Sequence, residues 1–415
     1  MYLHHRFYKL VFVASGCLVS HPSAQAQFDT ASYSGALRSD YLQSTRSLDD
    51  ASNLVGATVQ LKGLLRPTQQ TSVKLDARAT NAALGRAGYA NTQLTESYLA
   101  FHQGNWDGRV GKQIIAWGRA DGINPTDVIS PRDYTVLLPF DEDQRSGVWG
   151  AMLSYAWTPE LSLSMLWKAQ FSESTIPLPG AQLSHYQITT PTAPTKQWGL
   201  RLNRVGSDLD WSISYFRGYS LLPQAVSGWV QESKPLQLDY PVVSMFGADL
   251  AKNFSAFGAR LEVAYTQPEN RPNPERPGLR RNLYWVGGFD RTFESRLNLN
   301  MQLFWRYTWD LPQSLDPSYW PAQGFNDGIL MQQRSQVSGM TLRLSNTWFN
   351  ETLDAEVFVQ RYFQSSDLFI YAKLAYAFSD SVRGTLGGQY FDGDGPQFGR
   401  LKKNRGVFAE LRYSF

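Results

Sequence analysis

The chain has 415 residues, of which 39 are basic, 36 acidic and 14% aromatic, and it contains one cysteine, Cys17. The near balance of charge argues against a nucleic-acid partner, and one cysteine excludes a disulfide framework or a cysteine metal site. No apolar stretch beyond the first residues is long enough for a transmembrane helix, whereas abundant aromatic residues are typical of membrane β-barrels, which place them at both interfaces.

The chain begins with a predicted signal peptide, residues 1–26. Basic residues precede a short apolar run, 10–14, and Ala24-Gln25-Ala26 supplies the small residues that signal peptidase recognises. A lipoprotein signal ending before Cys17 is an alternative, but it would leave too short an apolar core. We therefore expect residues 27–415 to form one exported domain in the outer membrane.

Strict alternation of apolar and polar residues predicts long β-strands. It occurs at 55–62, 161–171, 296–309 and 353–359. In 296–309 the odd-numbered positions are large and apolar and most even-numbered positions are polar, a period that no amphipathic helix produces. Since a barrel has lipid on one face and water on the other, we predict a transmembrane antiparallel up-and-down β-barrel with the odd positions of this segment facing lipid.

Connections between these strands alternate between tight and long. Tight turns are predicted near 66–67, 104–105, 158–160, 206–207, 252–253, 292–294, 349–350 and 379–380. Long connections are predicted at 44–52, 81–91, 118–146, 172–194, 218–238, 266–279, 308–332 and 391–404. The count gives about 18 strands, or 16 if 239–251 is a loop. Alternation begins near Tyr33, which leaves no room for a plug domain.

The last strand ends on alternating aromatic residues, Tyr413 and Phe415. This ending resembles the signal that outer-membrane proteins present to the barrel-assembly machinery. We therefore expect that machinery as a partner, together with the lipid and lipopolysaccharide around an outer-membrane barrel.

The long connection 118–146 is predicted to fold into the lumen and form a constriction. Asn124-Pro125 and Ser130-Pro131 favour turns within it. Its charged residues are Arg119, Asp121, Asp127, Arg132, Asp133, Asp141, Glu142, Asp143 and Arg145. Six acids against three bases predict a modest cation preference. The alternative is a solvated external loop whose charges hold it together.

Three motifs in this region carry a family resemblance. They are Gly111-Lys112-Gln113, Trp117-Gly118 and Asn124-Pro125-Thr126-Asp127. In this order they resemble a family of proteobacterial outer-membrane barrels, mostly of unassigned substrate, that is distantly similar to alginate-export porins. The resemblance covers mainly 108–180. It implies a porin-like fold and an inner-membrane exporter as a further partner.

Inward positions on other strands predict a lumen of mixed charge, marked by Lys168, Arg306, Arg343 and Glu356. Several inward positions in the C-terminal half are aromatic: Tyr284, Phe304, Phe358, Tyr362 and Phe408. Rings beside charged groups would suit sugars or aromatic acids, although packing of the lumen explains them equally well.

Enzymatic chemistry is not expected. Beyond the predicted signal the histidines are His102 and His185, and Ser97 lies too far from His102 for an acyl hydrolase. The acidic run 392–395 is typical of a plain turn rather than a calcium loop, so we predict no metal and no cofactor. The sequence therefore predicts a channel for small to medium polar solutes, narrowed by 118–146. The alternative is a non-conducting surface barrel that binds polysaccharide or assists envelope assembly.

Overall fold

The structure is a computed structural model that describes residues 30–45, 52–83, 90–136, 144–176, 185–191, 197–227, 235–270 and 273–415. The predicted signal peptide and the predicted constriction residues Asp141 and Asp143 lie outside the described residues. In the described part of the chain, no helix has the length and apolar character needed to cross a membrane.

Eighteen strands form one closed antiparallel sheet, which confirms the predicted barrel. The first nine are β1 (Ala31–Ser44), β2 (Asn53–Leu65), β3 (Thr71–Thr80), β4 (Asn91–Gln103), β5 (Trp106–Gln113), β6 (Val148–Ala156), β7 (Leu161–Lys168), β9 (Gln197–Arg204) and β10 (Asp210–Tyr219). The others are β13 (Val242–Phe254), β14 (Phe257–Pro268), β15 (Asn282–Thr292), β16 (Asn298–Thr308), β17 (Gln336–Trp348), β18 (Leu353–Tyr362), β19 (Leu368–Ala377), β20 (Val382–Asp392) and β21 (Gly406–Ser414).

Each barrel strand pairs with its neighbours along the chain, and β1 closes the barrel against β21. Leu37 lies opposite Tyr413 and Leu42 lies opposite Phe408 in this closing pair. Closure leaves no sheet edge, so the backbone N–H and C=O groups of every strand find partners within the barrel. Because β13 is a barrel strand, the 16-strand alternative is wrong.

Side-chain exposure follows the predicted alternation. On β16 the side chains of Asn300, Gln302 and Phe304 are buried inside the barrel, whereas Leu303 between them is 43% exposed on the outside. The predicted register of this strand is therefore confirmed. On β2, Val55 and Val59 also lie on the exterior, whereas the side chain of Gln60 points into the barrel.

One rim of the barrel carries short turns and the other carries the long connections, apart from the short 363–367. One turn differs from its predicted place: β13 and β14 connect at 255–256 rather than 252–253. Ser255 there has a φ of 52°, a left-handed conformation common in tight turns. Strand β13 thus extends three residues further, and β14 begins three residues later, than the local turn propensity of Lys252-Asn253 predicts.

The long connections carry regular structure of their own. Three short strands, β8 (Tyr186–Ile188), β11 (Gln224–Ala225) and β12 (Leu236–Asp239), form a small sheet, and the helix α1 (Trp320–Ile329) packs against it. Ala225, Leu238 and Phe325 belong to their shared apolar cluster. These elements come from three long connections that were predicted as loops. Together they form a structured cap at the end of the barrel that carries the long connections.

Candidate functional site: a lumen divided by an inserted loop

The connection between β5 and β6, described for 114–136 and 144–147, enters the lumen and is held there by Glu262. This fully buried side chain on β14 accepts hydrogen bonds from the backbone N–H groups of Arg119 (3.0 Å), Ala120 (3.1 Å) and Thr126 (2.7 Å), and from the Thr126 hydroxyl (2.9 Å). A carboxylate that receives several donors satisfies polar backbone groups that would otherwise be buried without partners. Glu262 therefore anchors the loop across the barrel interior.

A second attachment joins the start of the loop to β9 and β13. The Arg119 guanidinium contacts the Asp249 carboxylate and donates to the Asn203 side-chain oxygen at 2.8 Å. Asp249 also contacts Arg201, with its carboxylate oxygen 3.2 Å from the guanidinium nitrogen. Two guanidinium groups thus share one buried carboxylate, and the charge of Arg119 is compensated by the wall.

The tip of the loop reaches β14 and β16. Asp121 accepts a hydrogen bond from the Arg260 guanidinium at 2.6 Å and another from the Asn300 amide at 2.8 Å. Gly122, with a φ of +77°, comes close to the Phe358 ring on β18. The left-handed backbone allows the chain to turn here without a side chain that would narrow the remaining passage.

The returning half of the loop is held by internal pairs. Asp127 contacts Arg132 at 3.1 Å and Arg145 at 2.7 Å, and Asp133 accepts from the Thr135 N–H at 2.8 Å. All six described residues of the predicted constriction therefore lie in the inserted loop. Their charges are largely engaged in hydrogen bonds and ion pairs rather than directed into open water.

An apolar cluster fills the space between the loop and the strands behind it. Ile115, Trp117 and Ile129 of the loop pack against Leu166 on β7 and Phe216 on β10, and each is at most 5% exposed. Such packing excludes water from this side of the lumen.

Lys168 shows the effect of this packing on a predicted lumen residue. It faces inward, as predicted, but its side chain is fully buried, and its ammonium group donates to the Ile129 carbonyl at 3.1 Å. The loop therefore separates Lys168 from the space that remains open.

The open part of the lumen is a cavity of about 1080 Å³ between the loop and the opposite strands. It is lined by the predicted residues Arg306, Arg343 and Glu356, together with Lys373, which was not predicted from the sequence. The Glu356 carboxylate lies 3.5 Å from the Lys373 ammonium and 3.9 Å from the Arg343 guanidinium. Among the described residues the charged groups lining this cavity are Asp127, Arg132, Arg306, Arg343, Glu356 and Lys373.

Aromatic rings form much of the wall on the same side. Phe369 stacks on Phe391 with ring centroids 4.9 Å apart, and it contacts Phe398 at 5.5 Å and Phe358 at 6.1 Å. Of these rings, Phe358 was predicted from the sequence and the other three were not. Phe369 and Phe391 share the inward parity of Tyr371 and Gln389, so the alternation contained the signal for them.

Two further sequence predictions concern the acidic run and the last residues. Asp392 lies 3.5 Å from the Lys402 ammonium, and Asp394 accepts from the Ser366 N–H at 3.0 Å, so these carboxylates serve separate contacts. In the described residues no group of three potential metal ligands converges. Phe415 exchanges backbone hydrogen bonds of 2.8 and 3.0 Å with Gly35, beside the closing strand pair. Its role in assembly stays a prediction.

Solved structures of other proteins share the fold. The chain is similar to OccD3 (OpdP) of Pseudomonas aeruginosa, with a TM-score of 0.56, 12% identity and coverage of 95% of this chain and 93% of that chain. It is similar to a BenF-like porin from Pseudomonas fluorescens Pf-5, with a TM-score of 0.58, 10% identity and coverage of 93% of this chain and 98% of that chain. It is also similar to the outer membrane protein opdK of Pseudomonas aeruginosa, with a TM-score of 0.58, 10% identity and coverage of 94% of this chain and 100% of that chain. At such low identity the likeness establishes the fold.

Sequence comparison supplies the family. No curated protein matches the chain significantly. A family model described as "Protein of unknown function (DUF1302)" matches residues 66–275, which is just over half of the chain and includes the inserted loop with its three motifs. The chain belongs to the DUF1302 family.

Proposed function

We propose that this chain is an outer-membrane channel that passes small to medium polar solutes beside the inserted loop. The observation that carries the proposal is the cavity of about 1080 Å³, which is lined by charged side chains and lies inside a closed 18-strand barrel. Barrels of this width enclose an aqueous lumen rather than a packed core. The similar structures include a BenF-like porin and an outer membrane protein, which supports the same interpretation.

The cavity favours anions over cations. Among the described residues that line it, four side chains are basic and two are acidic. The sequence-based expectation of cation preference counted the acids of the loop, but Asp121 and Asp127 contact Arg260, Arg132 and Arg145. These contacts compensate the acidic charges of the loop. The basic side chains that line the cavity across from the loop, Arg306, Arg343 and Lys373, therefore dominate the electrostatic field in the passage.

Conductance of the purified protein in planar bilayers tests the channel. We expect steady single-channel steps, a reversal potential in a salt gradient that reports anion preference, and a larger conductance when residues 120–144 are deleted. The preference should weaken as salt rises, because the Debye length falls to about 3 Å at 1 M. Folded, heat-modifiable protein that stays silent and binds polysaccharide would instead support the non-conducting surface barrel.

The same proposal includes export and assembly. The predicted signal peptide, 1–26, would direct the chain across the inner membrane, and Tyr413 and Phe415 would present the terminal strand to the barrel-assembly machinery. Lipid and lipopolysaccharide would surround the apolar exterior. The inner-membrane exporter implied by the family resemblance would act as a partner of the channel.

A further inference from the structure

Arg306 on β16 is a nearly buried cation for which the described part of the chain provides no carboxylate. The residue is 8% exposed, and its Nε atom is buried without a hydrogen-bond partner. Its side chain contacts the Tyr284 ring, whose centroid lies 5.9 Å from the guanidinium carbon. By contrast, Arg119, Arg201 and Arg260 each contact a carboxylate in the lumen.

An unpaired buried charge carries a large desolvation cost, so its presence needs an explanation. Packing does not require one here, since a long apolar side chain would fill the same space. Ionisable groups held inside a membrane protein at such cost commonly mark the path of a substrate or ion. Arg306 is one of the residues that line the open cavity, so a solute in the cavity would reach its side chain.

The surroundings of Arg306 are aromatic. Phe304 contacts Tyr284, with ring centroids 6.4 Å apart, and Tyr362 at 5.2 Å, and Phe398 contacts Tyr362 at 5.7 Å. Phe398 joins this group to Phe369 and the stacked rings of the cavity wall. Phe304 and Tyr362 are buried behind the cavity wall, so a bound anion would have Arg306 at one end and the lining rings of Phe369, Phe391 and Phe398 beside it.

We propose that Arg306 binds the carboxylate of an organic anion whose body is an aromatic or other apolar ring system. A carboxylate would form two parallel hydrogen bonds with the guanidinium fork, and the ring body would pack on Phe369, Phe391 and Phe398. The cavity of about 1080 Å³ is slightly larger than the roughly 300–1,000 Å³ typical of ligand pockets, so it accommodates more than one ring. This inference rests on the proposed channel function, because the solute reaches Arg306 through the lumen.

Calorimetric titration of the purified full-length barrel with 2-naphthoate tests the proposal. Acetate carries the charge without the rings, and 2-naphthylmethanol carries the rings without the charge. We expect 2-naphthoate to bind about tenfold or more tightly than either control, since a hydrogen-bonded charge contributes at least that factor. No binding of 2-naphthoate, or equal affinity for the two naphthalene compounds, would overturn the proposal.

Substitution locates the binding at Arg306. Arg306→Met should weaken 2-naphthoate binding about tenfold or more and leave the barrel at least as resistant to thermal unfolding, because it removes an unpaired buried charge. Arg412→Met removes another inward arginine, which does not line the cavity, and should leave the affinity unchanged. If Arg306→Met lowered thermal stability but kept the affinity, Arg306 would be structural and the proposal wrong.

Conductance of the same preparation separates this inference from the proposed function. Steady channels without 2-naphthoate binding would overturn the inference and leave the channel intact. Binding that is lost in Arg306→Met, by a barrel that never conducts, would support the site and contradict the channel.

Discussion

Two regions of the barrel wall differ in their surroundings: in one the inward side chains contact the inserted loop, and in the other they face the open cavity. The covered wall consists of β7, β9, β10, β13 and β14, and the open wall consists of β16 to β20. On the covered wall Glu262 and Asp249 are buried against the loop and accept hydrogen bonds from it. On the open wall Glu356 lies between Arg343 and Lys373 at distances of 3.5 to 3.9 Å and faces the cavity.

The difference shows that inward orientation and access to water are separate properties. Strand alternation places Lys168 and Lys373 alike inside the barrel, but the loop buries the first completely and leaves the second on the cavity. Charges on the covered wall therefore act on the stability and position of the loop. Charges on the open wall act on the solute.

The largest expected effect follows from removing the loop anchor. Glu262→Ala leaves three backbone N–H groups and the Thr126 hydroxyl without their acceptor, which should lower the free energy of unfolding by about 3 kcal/mol or more. We expect the released loop to raise single-channel conductance and its fluctuation. Urea unfolding and bilayer recordings measure the two effects.

Glu356→Ala is the matched control on the open wall. Its carboxylate is partly exposed, and its ion pairs are longer than the hydrogen bonds that Glu262 accepts. Its loss should therefore lower the free energy of unfolding by less than about 1 kcal/mol. Conductance should stay close to that of the unmodified protein while anion preference increases. Equal destabilisation by both substitutions would contradict the distinction between the walls.

A smaller effect is expected from removing one positive charge on each wall. Lys373→Met should reduce anion preference, because the ammonium lines the cavity. Lys168→Met should leave the preference unchanged, because the loop covers that side chain and water does not reach it. Reversal potentials measured at low salt compare the pair. A larger shift from Lys168→Met would show that the passage follows the other wall.

The strands and their register could be predicted from the sequence. Strict alternation of apolar and polar residues over a segment such as 296–309 is expected of a β-strand with lipid on one face and water on the other. The cap could not be predicted in this way. Its helix α1 contains Gly324 and Gly328, which lower its helical propensity, and it is stabilised by packing on the small sheet.

The candidate site was predicted in part. The turns at Asn124-Pro125 and Ser130-Pro131 indicated an inserted loop, and in the structure the loop backbone donates hydrogen bonds to Glu262. That the loop acts as a constriction stays a prediction. The partners of that loop could not be found from local pattern, since Glu262 lies 136 residues from Thr126 along the chain. The burial of Lys168 depends on the same long-range docking. Parity along a strand gives the direction of a side chain but does not report what another segment places over it.

The accessibility of introduced thiols tests whether the loop shields the covered wall from water while the open wall faces the cavity. The one native cysteine, Cys17, lies in the predicted signal peptide, so the exported protein would carry no competing thiol. Gln360→Cys places a thiol on the cavity, and Ser214→Cys places one on the covered wall at a position that is 4% exposed. We expect a bulky, water-soluble methanethiosulfonate to reduce current through Gln360→Cys channels and to leave Ser214→Cys channels unchanged. Block of Ser214→Cys with no block of Gln360→Cys would contradict this expectation.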